Sequence, residues 1–252
     1  MFLSRLILDP ESRQVSSELA HPYEMHRTLM QAFNNYPIDK KENAREKFEV
    51  LFRADIDDQR NLVVTYVQSN VEPEWSFLTN KDCYLFTDFD QPNPACKNIA
   101  GNFERLQNGQ VLSFRLRANP TKRIGRVIKG DATLKGKRVG LLREEEQIDW
   151  LIRKGLKREK EKYGGFEILF NETEESNGEI RRVPRVNVRL QGKQRGRKKE
   201  EGRSHSTTHL AVRFDGLLRI TDAGAFRETL VRGIGSAKAF GFGLLSVAPV
   251  HS

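Results

Sequence analysis

The order of the predicted elements in the first 70 residues limits the folds that this chain can adopt. FLSRLILD (2–9) is apolar and rich in β-formers, which predicts a strand. A helix is predicted over 22–35, because Pro22 suits a first helical turn and NNYP provides a stop. KFEVLFRAD (47–55) and NLVVTYVQS (61–69) are two further predicted strands, which IDDQR separates as in a hairpin. The predicted order is therefore strand, helix, strand, strand.

This order is three-quarters of a ferredoxin-like βαββαβ unit, and the second half of the chain has a similar order without a sequence repeat. QVLSFRLRANP (110–120) alternates apolar residues with Ser113, Arg115 and Arg117, which predicts a half-buried strand with a basic face. Helices are predicted over 143–162 and 222–233, and a last strand over 243–250. The fold class is therefore expected to be α+β.

Two segments of the second half have less regular patterns. GKQRGRKKEEGRS (192–204) is charged and contains glycine, which predicts a loop that is disordered on its own. STTHLAVRFDGLLRITD (206–222) is predicted to be a hairpin that turns at Asp215-Gly216.

The charge of the chain indicates a polyanionic partner. The net charge is +9 and the pI is about 9.6. Nine Lys or Arg and one acidic residue lie between Arg115 and Arg138, and ten Lys or Arg and two acidic residues lie between Arg181 and Arg203. Such concentrated basic tracts favour nucleic acid as the partner.

Hydropathy and cysteine content exclude several classes of protein. Hydrophobic residues make up 37% of the chain, and no run reaches the roughly 18–20 apolar residues of a membrane-spanning helix. The N-terminal segment lacks the small-residue cleavage site of a signal peptide. Cys83 and Cys96 do not form a C-x-x-C pair, which argues against a disulfide framework or a zinc finger and favours a reducing, cytoplasmic location.

The predicted helix 22–35 carries titratable residues beside its apolar stripe. Met25, Leu29, Ala32 and Phe33 share one face at 100° per residue. The flank of this face carries three polar candidates, namely Tyr23, His26 and Arg27. Such residues are also common at the rim of an ordinary core, and the helix pattern alone leaves both interpretations open.

Two other patterns are candidates for sites. GIGSAKAFGFG (233–243) is a Gly-rich loop between a helix and a strand, and its N–H groups beside Lys238 could hold a phosphodiester. The alternative is a turn that only allows helix and sheet to pack. His205 and His209 have the i, i+4 spacing of metal ligands on a helix, but the local pattern is strand-like and no metal is expected.

Several separated stretches together resemble one family, the CasE family of CRISPR repeat endoribonucleases from type I-E systems. These stretches occur in the family's order between Met1 and Pro249: HPYEMHRTLMQAF (21–33), QSNVEPEW (68–75), VLSFRLRANPTKR (111–123), EEEQIDWL (144–151) and GIGSAKAFGFGLLSVAP (233–249). Residues 155–205 are longer and more basic than the family pattern and do not match it.

The resemblance implies two tandem ferredoxin-like domains of the RNA-recognition-motif type, expected over 1–108 and 109–252. It implies metal-independent cleavage of CRISPR precursor RNA at the 3′ base of each repeat hairpin, with a 5′-hydroxyl and a 2′,3′-cyclic phosphate as products and no cofactor. It also implies retention of the product hairpin within the Cascade complex. The family's catalytic Tyr–His pair corresponds to Tyr23 and His26. A histidine near neutrality can give or take a proton, and Tyr23 more readily orients the substrate.

The expected RNA-binding residues are the basic and glycine residues of these motifs, namely Arg27, Arg115, Arg117, Lys122, Arg123, Arg185, Arg189, Gly235, Lys238 and Gly241. Each basic residue could instead be a solvated surface charge. Two alternatives remain for the whole chain. A non-catalytic RNA-binding subunit could share the architecture, whereas a binder of double-stranded DNA would need a helix-turn-helix or zinc pattern that the sequence lacks.

Overall fold

The fold is α+β with antiparallel sheets. It is known from a computed structural model, which describes residues 1–39, 42–57, 59–87, 91–125, 136–156, 163–174, 179–200 and 203–250, with the backbone alone at 197–200 and 203–206. Within these ranges, no helix is long and apolar enough to cross a membrane. Contacts divide the chain into two compact units. Unit 1 comprises 1–105, 194–208 and 231–244, and unit 2 comprises 106–193, 209–230 and 245–252.

Unit 1 contains a four-stranded sheet in the order β2-β3-β1-β4, and every neighbouring pair is antiparallel. The strands are β1 (Phe2–Leu8), β2 (Leu51–Asp57), β3 (Leu62–Ser69) and β4 (Ala95–Asn98). The helices are α1 (Arg13–Ala20), α2 (Pro22–Met30), α3 (Ala44–Lys47), α4 (Ser76–Thr79) and α5 (Ala100–Glu104). A 3-10 turn, Gln31–Phe33, extends α2 to nearly the predicted end of the helix.

The core of unit 1 forms where α2 packs on the sheet. The predicted stripe is confirmed, because Met25, Leu29, Ala32 and Phe33 are each at most 2% exposed. They join residues such as Leu6 in one apolar cluster. Burying a side chain of this size contributes about 1.5–3 kcal/mol, so the stripe fixes which edge of α2 faces outward.

Unit 2 contains the second sheet, in the order β11-β12-β5-β13, with β8 also paired to β12. Its strands are β5 (Val111–Ala118), β8 (Phe166–Ile168), β11 (Val186–Glu200), β12 (Arg203–Ile220) and β13 (Leu245–Pro249), and parts of β11 and β12 belong to unit 1. Two small ladders pair β6 (Thr121–Arg123) with β7 (Arg138–Gly140), and β9 (Phe170–Glu174) with β10 (Ile180–Pro184). The helices are α6 (Glu144–Gly155) and α7 (Ala223–Arg232). The predicted helical residues 157–162 lie outside the described ranges.

Two predictions for this region were wrong. The segment 192–204 was predicted to be a loop, but 192–200 belong to β11 and 203–204 belong to β12. The two strands pair through their backbones, and this pairing does not depend on the charge of the side chains. Residues 206–220 form one strand without a turn at Asp215-Gly216. Here β12 pairs with β5 through Asp215 and beyond. Glycine is required at 216 because the backbone of Arg185 lies close to it. A Cβ at this position would be 2.4 Å from the Arg185 carbonyl oxygen.

Candidate active site and RNA-binding surface

Helix α2 presents Tyr23 and His26 at the edge of its buried face. Pro22 occupies the first turn, and Met25 and Leu29 turn inward to the core. Tyr23 and His26 are therefore half-buried, whereas Arg27 is exposed. The Arg27 guanidinium pairs with the Glu24 carboxylate at 2.9 Å on the solvent side, so it flanks the pair rather than joining it.

Aromatic rings line up across this edge. The ring centroids of Tyr23 and His26 are 5.9 Å apart, and the imidazole stacks on Phe52 of β2 at 6.2 Å with an interplanar angle of 12°. The Tyr23 ring also contacts Phe240 of the Gly-rich loop, with 5.6 Å between the ring centroids. The contacts restrict the orientation of both candidate catalytic rings.

His26 is electrostatically unusual. Burial, and secondarily the Arg45 guanidinium, lower its pKa to about 4. The ring Nδ1 is buried and has no hydrogen-bond partner among the described residues. His26 is therefore neutral near pH 7, which suits a group that accepts a proton. No sequence pattern indicates Arg45, because it lies on α3, separated from His26 by 19 positions and without a motif of its own.

The lowered pKa of His26 predicts a pH dependence of stability. The unfolded chain, with a histidine pKa near 6.5, binds this proton between about pH 6.5 and 4 while the folded protein does not. The free energy of unfolding should therefore decrease as the pH is lowered from about 6.5 to 4. The contribution of His26 to this decrease is up to about 3 kcal/mol. Urea unfolding of the wild type and His26→Gln at pH 4 to 8 measures the difference. A difference that is constant with pH would contradict the lowered pKa.

A buried carboxylate connects α2 to its surroundings. Glu18 of α1 is 4% exposed and accepts hydrogen bonds from Thr28 Oγ1 of α2 at 2.7 Å, Tyr84 OH at 2.7 Å and Gln14 Nε2 at 2.6 Å. Burial and the Glu18 carboxylate raise the pKa of the Tyr84 phenol well above its usual value, so it stays protonated as a donor. The network fixes the position of α2.

The Gly-rich loop lies against α2 within unit 1. Gly235 and Gly241 both have positive φ values, +86° and +76°. The Ile234 N–H donates to the Gly243 carbonyl at 2.9 Å and closes the loop, and Lys238 is half-buried within it. The structure thus brings the predicted residues of this loop to the same unit as Tyr23 and His26.

Apart from Arg27 of α2, the other predicted RNA-binding residues belong to unit 2. Arg115 forms an ion pair with Asp215, and Lys122 forms one with Glu146 at 2.7 Å. Arg117 Nε donates a hydrogen bond to the Gln191 side-chain oxygen at 2.8 Å. Arg123, Arg185 and Arg189 are exposed. The predicted alternation of β5 is confirmed, because Arg115 and Arg117 lie on its half-buried face.

The two histidines considered as metal ligands lie on β12 and not on a helix. The Asn119 Nδ2 and His209 Nδ1 atoms are 3.2 Å apart. Burial lowers the pKa of His209. The side chain of His205 is outside the described part of the chain. Among the described residues, no three His, Cys, Asp or Glu side chains cluster as metal ligands.

Comparison with known proteins places the chain in a family. A family model described as CRISPR associated protein matches residues 1–249. The chain belongs to this CRISPR-associated protein family. A relative from Thermus thermophilus, the CRISPR-associated endoribonuclease Cse3, is 36% identical over 251 residues that cover 99% of this chain and 100% of that protein.

Two further comparisons support membership of the CRISPR-associated family. The Escherichia coli Cascade subunit CasE is 35% identical over 149 residues, which cover 58% of this chain and 62% of that protein. A solved structure of Thermus thermophilus Cse3, bound to an RNA that represents a pre-cleavage complex, has a TM-score of 0.67 and 35% identity over 98% of each chain.

Proposed function

We propose that this protein cleaves CRISPR precursor RNA at the base of each repeat hairpin without a metal ion, and that Tyr23 and His26 carry the reaction. The endoribonuclease class follows from the full-length similarity to Cse3. The observation that supports the assignment of the site is the contact between Tyr23 and His26 on one edge of α2. CRISPR RNA and the other subunits of Cascade are its partners, as for the relatives.

The proposed reaction is an internal transfer of the phosphodiester. The 2′-oxygen attacks the adjacent phosphorus, the bond from phosphorus to the 5′-oxygen breaks, and a 2′,3′-cyclic phosphate and a 5′-hydroxyl result. A group must accept the 2′-proton, and the leaving 5′-oxygen must receive a proton. His26, neutral in the free protein, suits the first role, and the imidazolium that it becomes can give the proton to the leaving oxygen. In that arrangement Tyr23 orients the 2′-hydroxyl or donates to the phosphate, and Arg45 adds positive charge near the site.

We also propose that the RNA stem contacts basic residues of both units. Lys238 with Gly235 and Gly241 and the flanking Arg27 would bind phosphates near the cleaved bond. The stem itself would be held by the remaining candidates, which are Arg115, Arg117, Lys122, Arg123, Arg185 and Arg189. Their exposed or half-buried positions support this assignment. Phosphate contacts of this kind make affinity fall steeply with salt.

Arg117→Ala should weaken binding of the repeat hairpin and reduce the slope of log affinity against log salt by about one, because one phosphate contact is lost. Filter binding at several salt concentrations measures both quantities. Arg60→Ala is the control, since this exposed arginine of unit 1 is not a proposed contact. Equal slopes for Arg117→Ala and the wild type would remove Arg117 from the surface.

The strand orders support two tandem ferredoxin-like domains. Both β2-β3-β1-β4 and β11-β12-β5-β13 place the last strand of the unit beside the first, and the first beside the third, as a βαββαβ unit requires. A division at 1–108 and 109–252 stays a prediction. The contact-based unit 1 also includes 194–208 and 231–244 from the second half of the chain.

The free, exposed Cys83 and Cys96 are consistent with the proposed cytoplasmic location.

The direct test is cleavage of the repeat RNA of the source genome in EDTA, with analysis of the product ends. The proposal predicts one cut at the hairpin base, a 5′-hydroxyl and a 2′,3′-cyclic phosphate. Products with a 5′-phosphate, or cleavage that needs added metal, would contradict the mechanism. Tight binding without cleavage would instead indicate the non-catalytic RNA-binding subunit.

A further inference from the structure

Phe240 occupies a tightly defined position at the end of the Gly-rich loop. It closes the 3-10 turn Lys238–Phe240, and its N–H donates to the Ala237 carbonyl at 2.9 Å. The residues that flank this turn, Ala237 and Gly241, both adopt the left-handed conformation, with φ values of +64° and +76°. Phe240 itself is 8% exposed. The turn therefore directs a nearly buried ring to one place.

One side of the Phe240 ring lies directly on the backbone of β11. A Cβ at Gly196 would be 2.2 Å from Phe240 Cε1 and 2.7 Å from Cζ, so only glycine leaves room for the ring. Thr207 of β12 lies next to the same glycine, since a Cβ at Gly196 would also be 2.9 Å from Thr207 Oγ1. All three residues belong to unit 1.

The Phe240 ring also contacts Tyr23 of α2. The two ring centroids are 5.6 Å apart with an interplanar angle of 33°. Phe240 thus links β11 to one of the two candidate catalytic rings. The Tyr23 ring is half-buried, so losing the Phe240 contact would widen the range of its χ1 and χ2 angles and leave His26 as its other aromatic neighbour.

We propose that Phe240 is a positioning residue for the cleavage reaction, which holds the Tyr23 ring against His26, and that Gly196 provides the space that this contact requires. The inference rests on the proposed role of Tyr23. Phe240 exposes too little surface to bind RNA itself, so its loss should slow cleavage without weakening binding. A misplaced reacting group costs about 10- to 100-fold in rate.

The test is a double-mutant cycle on single-turnover cleavage and hairpin affinity. It compares the wild type, Phe240→Leu, Tyr23→Phe and the double variant. Phe240→Leu retains an apolar side chain but removes the ring. We expect Phe240→Leu to cleave about 10- to 100-fold more slowly with little change in affinity, and to have little further effect when Tyr23 is already Phe. Phe226→Leu, which removes a buried ring paired with Phe166 in unit 2, is the control and should cleave at the wild-type rate.

The outcomes separate the inference from the proposed function. Wild-type cleavage by Phe240→Leu together with slow cleavage by Tyr23→Phe would overturn the positioning role alone. Equal losses from Phe240→Leu in both backgrounds would also overturn it, because Phe240 would then act independently of Tyr23. Wild-type cleavage by Tyr23→Phe would overturn the assignment of Tyr23, and the role of Phe240 with it.

Discussion

His26→Ala should reduce the single-turnover rate of RNA cleavage by about 10²- to 10⁴-fold, the range lost when a general acid or base is removed. The 2′-hydroxyl is a poor nucleophile until its proton is accepted. Burial and Arg45 keep the pKa of His26 near 4, so the ring is neutral near pH 7 and its unprotonated nitrogen can accept this proton. Affinity for the hairpin should change little, since the neutral ring contributes no charge to phosphate binding.

The control for this experiment is His21→Ala. His21 is exposed and occupies the N-cap position of the same helix without a side-chain capping hydrogen bond, so the variant removes an imidazole next to the site without changing the edge that carries Tyr23. Rapid-quench cleavage and equilibrium binding give the rate and the affinity. A wild-type rate for His26→Ala would show that His26 is only a packing residue at the rim of the core.

Glu18→Ala should lower the free energy of unfolding by about 2–6 kcal/mol, because two buried hydroxyl donors lose their acceptor and each such loss costs about 1–3 kcal/mol. These donors are Thr28 Oγ1 and Tyr84 OH, both 2.7 Å from a Glu18 oxygen. The effect extends to the site, since Thr28 is on α2 and follows His26 by two residues.

Glu18→Gln is the matched variant for this prediction. Its side chain has nearly the same shape and retains one oxygen acceptor, so we expect a loss of about 1–2 kcal/mol. Urea unfolding at pH 7 compares the three proteins. Equal stability of Glu18→Ala and the wild type would show that the network does not stabilise α2.

The part of the site that could be predicted from sequence is local. The 3.6-residue period of 22–33 fixes which residues of α2 are buried and therefore leaves Tyr23 and His26 on the flank. The two-residue period of 111–118 likewise places Arg115 and Arg117 on one face of β5. In both segments, the pattern of residues close in sequence determines which side chains are buried.

The remaining features depend on contacts between distant parts of the chain. Glu18 is a polar residue in the core whose partner Tyr84 is 66 positions away, and no periodic pattern indicates such a pair. The long strand β12 is decided by its pairing with β5, which overrides the turn preference of Asp215-Gly216. Phe240 reads in the sequence as one apolar residue of a Gly-rich loop, and only the fold places it between Gly196 and Tyr23.

The most direct test of the central claim is cleavage of a repeat hairpin that carries a single 2′-deoxy sugar before the cleaved phosphate. If the 2′-oxygen is the nucleophile, the wild-type protein should bind this RNA as tightly as the all-ribose hairpin and should not cut it, in EDTA or with added metal. Cutting of the deoxy substrate at a rate close to that of the ribose substrate would show that water or another group attacks the phosphate. The proposed roles of Tyr23 and His26 would then be wrong.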